Sequence, residues 1–555
     1  MYILKDSDSK AIFIDGQENL EKLYEIWPEV SDVKDVIVFE KFDDSLKRDN
    51  VFTYEEFSEM GKKHWKEHPS LIEESISKVE EEDLATLIYT SGTTGEPKGV
   101  MLTHKNILSD VLVLSAIALT LDTGRKPWEA TSITYMPYAH SFGRSVEEYG
   151  MMWNSACINY VGGRTQDKLQ KAFKAYRPNI MVGVPYLYQK LYEKVVDTVA
   201  TYPLKIQNIF NKAVSSGREY YTNILNKKKN PLGLRLKYKI FKRVVLKRIQ
   251  KELGGNLELM VTASAAISPD LLIFFWSVGF NIAEGYGLTE AAPATHYSRT
   301  LNNSDFRPNF HKKIDVYEKV GTVGPLLEIP ETPYGNMEQK LGPGGELFIR
   351  GPNIMKGYWK KPEITAETID EEGWLHTGDL AEIDEDGYVK IIGRSKAIIK
   401  LATGKMLSPA LVEGYIVPYS RIIAQVIFVG QEKKYLSAIV VPYQEPLKKY
   451  ADEHGIKYSD PASLFRNKEI QEVIKKDIIK FIEKDVAEFS QPKRFLISCK
   501  HFAEDEGFLT PTLKFKRNKI YKDLAKWIDQ IYEIDDEFLI VGDRICDFYD
   551  QSVLT

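Results

Sequence analysis

Cysteine is scarce in this chain: Cys157, Cys499 and Cys546 are the three in 555 residues. They are too few and too far apart for a disulfide framework or for zinc-ligand spacing, and they suit a reducing cytosol. Long apolar runs are missing too. Val111 to Leu121, among the longest, is interrupted by Ser115 and Thr120, which argues against a transmembrane helix. The N-terminus, Met1-Tyr-Ile-Leu-Lys-Asp-Ser-Asp, has neither a basic n-region nor an apolar h-region and does not read as a signal peptide. Charge of one sign is not in excess: the formal net charge is −5, so nothing global points to nucleic acid. The nine histidines read as forming no short-spaced cluster. A metal would then fall to carboxylates and phosphates, the preference of Mg²⁺. Glycine- or serine-rich low complexity, internal repeats and a Ser-His-Asp or Cys-His arrangement are absent as well. What remains, 43% hydrophobic and 28% charged residues, is the composition of a soluble globular enzyme of two to four domains.

Against that plain background one stretch stands out: Tyr89-Thr90-Ser91-Gly92-Thr93-Thr94-Gly95-Glu96-Pro97-Lys98-Gly99. Leu84 to Tyr89 reads as a strand running into it, and Val100 to Leu114 as a segment returning to the core. Glycines take positive φ and let backbone N–H groups close on an anion. Ser91, Thr93 and Thr94 add hydroxyl donors, and Lys98 adds a mobile positive charge. A polyphosphate is the ligand this chemistry suits. It is not a Walker A loop, which needs Gly-Lys-Ser/Thr, because Gly99 follows Lys98.

Residues 10 to 40 read strand, helix, strand, an α/β signal, and residues 54 to 82 read as charged helix ending in an acidic linker. Tyr135-Met-Pro-Tyr-Ala-His140-Ser-Phe-Gly143 follows, then Arg177 to Pro185 as a strand leading to a helix. Residues 227 to 251 carry eleven lysines and arginines without one acid. Leu234, Tyr238, Phe241, Val245 and Ile249 recur there at steps of three and four, the pattern of one amphipathic basic helix. Two uses are open: a surface helix packed on its own domain, or a face for anionic membrane lipid. Further on, Leu259 to Thr262 is an apolar strand that breaks into the small-residue turn Ala263-Ser264-Ala265-Ala266, where a flat ligand can approach backbone. In Glu284-Gly285-Tyr286-Gly287-Leu288-Thr289-Glu290 a ring for stacking on a purine sits beside a hydroxyl and a hard oxygen ligand for Mg²⁺. Thr377-Gly-Asp379 and Gly393-Arg394-Ser-Lys396 come next, and then Leu401-Ala-Thr-Gly404-Lys405. Residues 421 to 442 read as two strands and 462 to 490 as a charged amphipathic helix.

Taken in order, from about residue 3 to residue 530, these stretches resemble the adenylate-forming (AMP-binding) enzymes and, within them, the long-chain fatty-acid–CoA ligases. The resemblance implies an α/β fold: a large N-terminal domain of layered α/β subdomains plus a small β-barrel (1–393, shortened at its start), a hinge (394–397), and a mobile α+β lid domain (398–555). It implies ATP and coenzyme A as substrates beside a long-chain fatty acid, with Mg²⁺ on Glu290. The ATP/AMP contacts would be Thr90, Ser91, Gly92, Thr93, Thr94, Gly95 and Lys98; Ser264 and Ala265; Glu284, Gly285, Tyr286 and Gly287; Asp379 on the ribose; and Arg394. The catalytic set would be Lys514, in Phe508-Leu-Thr-Pro-Thr-Leu-Lys514, with Thr289, Glu290 and His140, the last bordering the acyl pocket. Lys396 would be the hinge residue, and Gly404 and Lys405 the loop on the coenzyme A side. Three positions depart from the family pattern: Ala263 replaces a glycine, Ala266 a proline, and Ala397 an acid after the hinge lysine. Adenylation of a different acid, transfer to a carrier-protein thiol, and an inactive shortened nucleotide-binding protein are the alternatives. The expected location is cytoplasmic, with 227–251 as the place for any peripheral contact with the inner face of the membrane.

Overall fold

The computed structural model describes residues 1–541 except 31, 91–95, 121–125, 164, 244–246, 299–318, 328–332, 418–419, 484–487, 504–505 and 510–514. The expected phosphate-loop residues Ser91, Gly92, Thr93, Thr94 and Gly95, together with Lys514 and Cys546, lie outside the described residues.

The chain opens with a three-stranded parallel sheet of Ala11–Ile14, Asp35–Val38 and Val51–Thr53. Helix Gln17–Glu25 buries Leu20 and Leu23 in the apolar cluster beneath it. The centre is a six-stranded sheet in the order Ala294–Tyr297, Ile282–Gly287, Leu259–Thr262, Ile180–Gly183, Thr131–Thr134, Cys157–Tyr160. Its strands are parallel except for the antiparallel edge strand Ala294–Tyr297. Parallel strands need crossover connections and cover on their faces. Helices Pro185–Ala200, Leu204–Leu225 and Pro269–Ser277 carry part of that cover and close a core around Trp276, Tyr188, Phe173 and Phe275. The start of the last helix is fixed locally: Pro269 occupies its first turn, and the Ser268 hydroxyl accepts from the Leu271 N–H.

Beside the sheet, Leu84–Thr90 and Lys98–Thr103 form an antiparallel pair in which Thr90 faces Lys98. Where the family resemblance implies a small barrel, the described residues form an open antiparallel sheet: Glu338–Leu341, Glu346–Arg350, Leu375–Ile383, Val389–Arg394. The outer edge of Val389–Arg394 is taken by residues 323 to 324, whose backbone exchanges hydrogen bonds with Val389 at 2.8 and 3.0 Å.

The C-terminal part is an α+β unit. A sheet of Ile423–Val429, Ser437–Pro442, Arg494–Ile497 and Phe538–Ile540 packs on Lys468–Ile482, which buries Ile470, Ile474, Ile478 and Ile482 at a strict four-residue step. Each such side chain contributes about 2 kcal/mol of burial. The single helix expected over 462–490 is two, because Asn467 caps the second by accepting from the Glu469 and Ile470 N–H groups. Of the helix expected over 227–251, the described residues show helix at Leu232–Phe241 and at Lys247–Glu252. Its expected apolar face does pack inward at Leu234 and Tyr238.

Candidate active site

A cleft of about 3260 Å³ runs between that antiparallel pair, the C-terminal ends of the central strands, the four-stranded sheet and the C-terminal unit. Its wall brings together Thr90 and Lys98; His140; Ser264 and Ala265; Glu284, Gly285, Tyr286 and Gly287; Thr289 and Glu290; Asp379; Arg394; and Lys396. Gly404 and Lys405 are not in that wall. Gly404 turns the short hairpin Ile399–Lys400 to Met406–Leu407 at φ +79°, and the Lys405 ammonium lies 4.7 Å from the Phe489 ring centre.

Strand Ile282–Gly287 delivers its residues to the cleft and ends at Gly287. A β-carbon there would stand 1.8 Å from the Pro293 carbonyl oxygen, so no side chain fits. Next to it, the Tyr286 hydroxyl donates to Asp379 Oδ2 at 2.7 Å, while Arg394 Nε donates to Asp379 Oδ1 at 2.9 Å. Asp379 is 7% exposed, and it faces Arg394 directly in the register of the two strands. Burial and the Asp379 charge push the Tyr286 phenol upward, so it stays a donor. Asp379 thus has a filled position on each oxygen and one further lone pair on each, as a ribose diol requires.

Three residues after Tyr286, Thr289 Oγ lies 3.1 Å from Ser141 Oγ, which ties the segment after His140 to this edge of the cleft. One oxygen of Glu290 accepts from the Tyr358 hydroxyl at 2.8 Å. Lys98 lies 4.7 Å from the centre of the same Tyr358 ring, so one tyrosine positions both the expected metal carboxylate and the loop lysine. A single carboxylate with phosphate oxygens beside it is the donor set Mg²⁺ accepts, and Glu290 retains an oxygen for it. Ser264, in the small-residue turn, holds φ +74°, a left-handed conformation that costs a non-glycine residue about 1 kcal/mol.

Two buried carboxyls were not read as buried acids from the sequence. Burial pushes Glu284 up to about 8, opposed by the Ile267 N–H that donates to it at 3.2 Å. Glu147 is 1% exposed and is also pushed up to about 8 by burial, opposed by the Thr134 hydroxyl, which donates to it. Both line the cleft. Opposite them the wall is apolar, with Leu169, Phe173, Val195, Val199, Ile206 and Phe210 coming from three helices. On the C-terminal side, Arg517 donates to both oxygens of Glu413, one at 2.9 Å, and Glu413 Oε1 also accepts from the Phe428 N–H at 3.0 Å. This pair seats the helix Arg517–Asp523, which begins three residues after Lys514. None of Glu147, Tyr358, Glu413 or Arg517 carries a local signal; each acquires its role from a partner far along the chain.

The expectation that the histidines do not cluster is corrected. His64, Glu67 and His68, on one side at the end of helix Tyr54–Glu67, bring their ligand atoms within 4.8 Å of one another. All three are exposed, and none lines the cleft.

The profile of the AMP-binding enzyme family matches residues 1–359, and that of the AMP-binding enzyme C-terminal domain matches residues 396–536. Long-chain-fatty-acid–CoA ligase 5 of Rattus norvegicus is 32% identical over 557 residues, covering 97% of this chain and 75% of its own length. Long-chain-fatty-acid–CoA ligase 1 of Homo sapiens is 32% identical over 458 residues, covering 81% and 61%. Among solved structures, the adenylation domain of a carboxylate reductase from Mycobacterium chelonae aligns with a TM-score of 0.63 at 19% identity, over 96% of this chain and 74% of that one. The A domain of a carboxylic acid reductase from Segniliparus rugosus, in complex with AMP and a co-purified carboxylic acid, aligns with a TM-score of 0.62 at 20% identity, over 96% and 76%. These two likenesses bear on the fold alone.

Proposed function

Since this chain belongs to the AMP-binding enzymes, and among them to the long-chain-fatty-acid–CoA ligases, we propose that it joins a long-chain fatty acid to coenzyme A by way of an acyl-adenylate. The observation that carries the reading is the convergence on one cleft wall of Tyr286–Asp379–Arg394, Thr289–Glu290–Tyr358 and an apolar surface.

A fatty carboxyl has a pKa near that of Glu, roughly 4, and is ionised at pH 7, so the nucleophile needs no general base. The difficulty is to bring an anion onto a polyphosphate. In the first half-reaction a carboxylate oxygen attacks the α-phosphorus of ATP. The bond from that phosphorus to the bridging oxygen breaks, and pyrophosphate leaves with the electron pair. Asp379 orients the ribose, Tyr286 offers a face to the base, and Thr289 and Lys98 direct donors at the phosphates. Preorganised donors of this kind contribute about 3–4 kcal/mol each. Mg²⁺, held by Glu290, would supply further positive charge to the triphosphate. By the family pattern Lys514 neutralises the α-phosphate. In the second half-reaction the thiol sulfur of coenzyme A attacks the acyl carbon, its proton passes to solvent, and AMP departs.

The test is ATP–pyrophosphate exchange by the purified chain with acetate, octanoate, palmitate or a phenylpropenoic acid. Exchange with palmitate supports the long-chain reading; exchange with another acid keeps the mechanism and changes the substrate. Lys514→Ala is expected to abolish exchange while sparing thioester formation from supplied acyl-AMP. Equal loss of both half-reactions overturns that role. Coenzyme A and a carrier protein, compared as acceptors of the preformed adenylate, separate the two thiol readings.

A further inference from the structure

We propose that the outward face of helix Leu232–Phe241 docks on an anionic lipid surface. The helix is fixed in orientation by its inner face. Leu234 and Tyr238 are buried, the Tyr238 ring stacks on Tyr220 at 4.9 Å, and its hydroxyl donates to the Trp276 carbonyl at 3.2 Å. The face opposite is therefore presented to solvent by the fold itself. Leu232, Leu236 and Ile240 stand there, 81%, 62% and 53% exposed.

Each four-residue step advances only about 40° past a full turn of helix, so the three form one nearly straight row. Single exposed leucines are ordinary; a row of three on the face turned away from the core is what needs a partner. On the same wheel Arg235 and Lys239 flank the row on one side and Lys237 on the other, while Lys227, Lys228 and Lys229 precede it and Arg243 follows it. All seven cations are exposed, and among the described residues none of them is ion-paired. In a chain with a formal net charge of −5, this is a local concentration of positive charge around an apolar ridge.

A bilayer carrying anionic headgroups satisfies both components at once, the ridge entering the acyl boundary and the cations staying among the headgroups. Nucleic acid would engage the cations and leave the leucines in water. The proposal does not rest on the acyl substrate or on catalysis.

The full chain is mixed with vesicles of phosphatidylcholine alone or with 30% phosphatidylserine, at low and high salt, and sedimented. Each basic residue near an anionic surface raises affinity roughly fivefold. The parent is therefore expected to bind the serine-containing vesicles at least tenfold more tightly than the neutral ones, and to be released by salt. The triple variants R235Q/K237Q/K239Q and L232S/L236S/I240S are each expected to lose at least tenfold, with unchanged melting temperature, because the replaced side chains are solvent-exposed. Parent binding that ignores phosphatidylserine overturns the proposal. So does binding that both correctly folded variants retain, or an apolar variant indistinguishable from the parent, which would leave simple charge attraction.

Discussion

Replacing Glu147 by glutamine will make this protein more stable as pH rises, and the gain can be worked from the burial of one carboxyl. Glu147 has a folded-state value of about 8, raised from an ordinary 4.5. In the unfolded chain it ionises near 4.5, so between those two limits the folded state holds a proton that the unfolded state has lost. A carboxyl raised in this way supports the fold fully at low pH and progressively less as pH climbs towards 8. Each unit corresponds to about 1.4 kcal/mol, so by pH 7 the parent has given up about 3 kcal/mol that Glu147→Gln does not lose. The glutamine carbonyl can still accept from the Thr134 hydroxyl, as the carboxyl oxygen does. The buried acid Glu284 titrates alike in both proteins and cancels. The assay is the melting temperature of parent and variant from pH 5 to pH 9. The two are expected to differ little at pH 5 and to separate by roughly 4–9 °C at pH 8, where the difference reaches about 4 kcal/mol, given about 1–2 °C per kcal/mol for a body of this size. A constant offset across that range would refute the reasoning, since it would mean that Glu147 is ionised in the fold or reached by water.

Two further substitutions probe the cleft and the C-terminal unit. Asp379→Asn removes the charge facing Arg394 and turns one acceptor into a donor. The expected loss is about 2 kcal/mol, roughly thirtyfold in kcat/KM for ATP, read from exchange rates at varied ATP; an unchanged value would remove Asp379 from the nucleotide site. Arg517→Met strips the nearly buried Glu413 of its ion-pair partner, which costs about 3–5 kcal/mol. Hydrogen exchange should show this as loosening of helices Pro409–Gly414 and Arg517–Asp523 while the three-stranded N-terminal sheet keeps its protection.

Chemistry confined to a few consecutive residues was legible in the chain. Tyr286, Thr289 and Glu290 occupy five positions, and a strand that must stop at Gly287 keeps them together. Asp379 was legible as an acceptor; its pairing with Tyr286 was not, because that bond joins two sheets and 93 positions. The same holds for Glu290 with Tyr358 and Glu413 with Arg517. Nothing local distinguishes a carboxylate that will be buried from one that will be solvated. The period of the 227–251 segment correctly gave an inward face at Leu234 and Tyr238, while the outward row of Leu232, Leu236 and Ile240 emerged only with burial. The His64, Glu67, His68 cluster was legible too: the segment already reads as helical, and i, i+3, i+4 positions on a helix are neighbours.

The carboxylate of Asp379 has a consequence for how the two parts of the chain communicate. Its oxygens are shared between Tyr286, on the central sheet, and Arg394, two residues before the match to the C-terminal domain begins. Gly393, between that sheet and Ser408, could not carry a side chain, for its β-carbon would stand 2.3 Å from Ser408 Oγ. A ribose whose hydroxyls donate to the free lone pairs of Asp379 would therefore share the negative charge of the same carboxylate that holds Arg394. Any change in nucleotide affinity that follows from the posture of the chain at 394 must be returned, in equal measure, as a change in that posture when nucleotide binds. With nucleotide bound there, one acid side chain would link occupancy of the cleft to the backbone at Arg394.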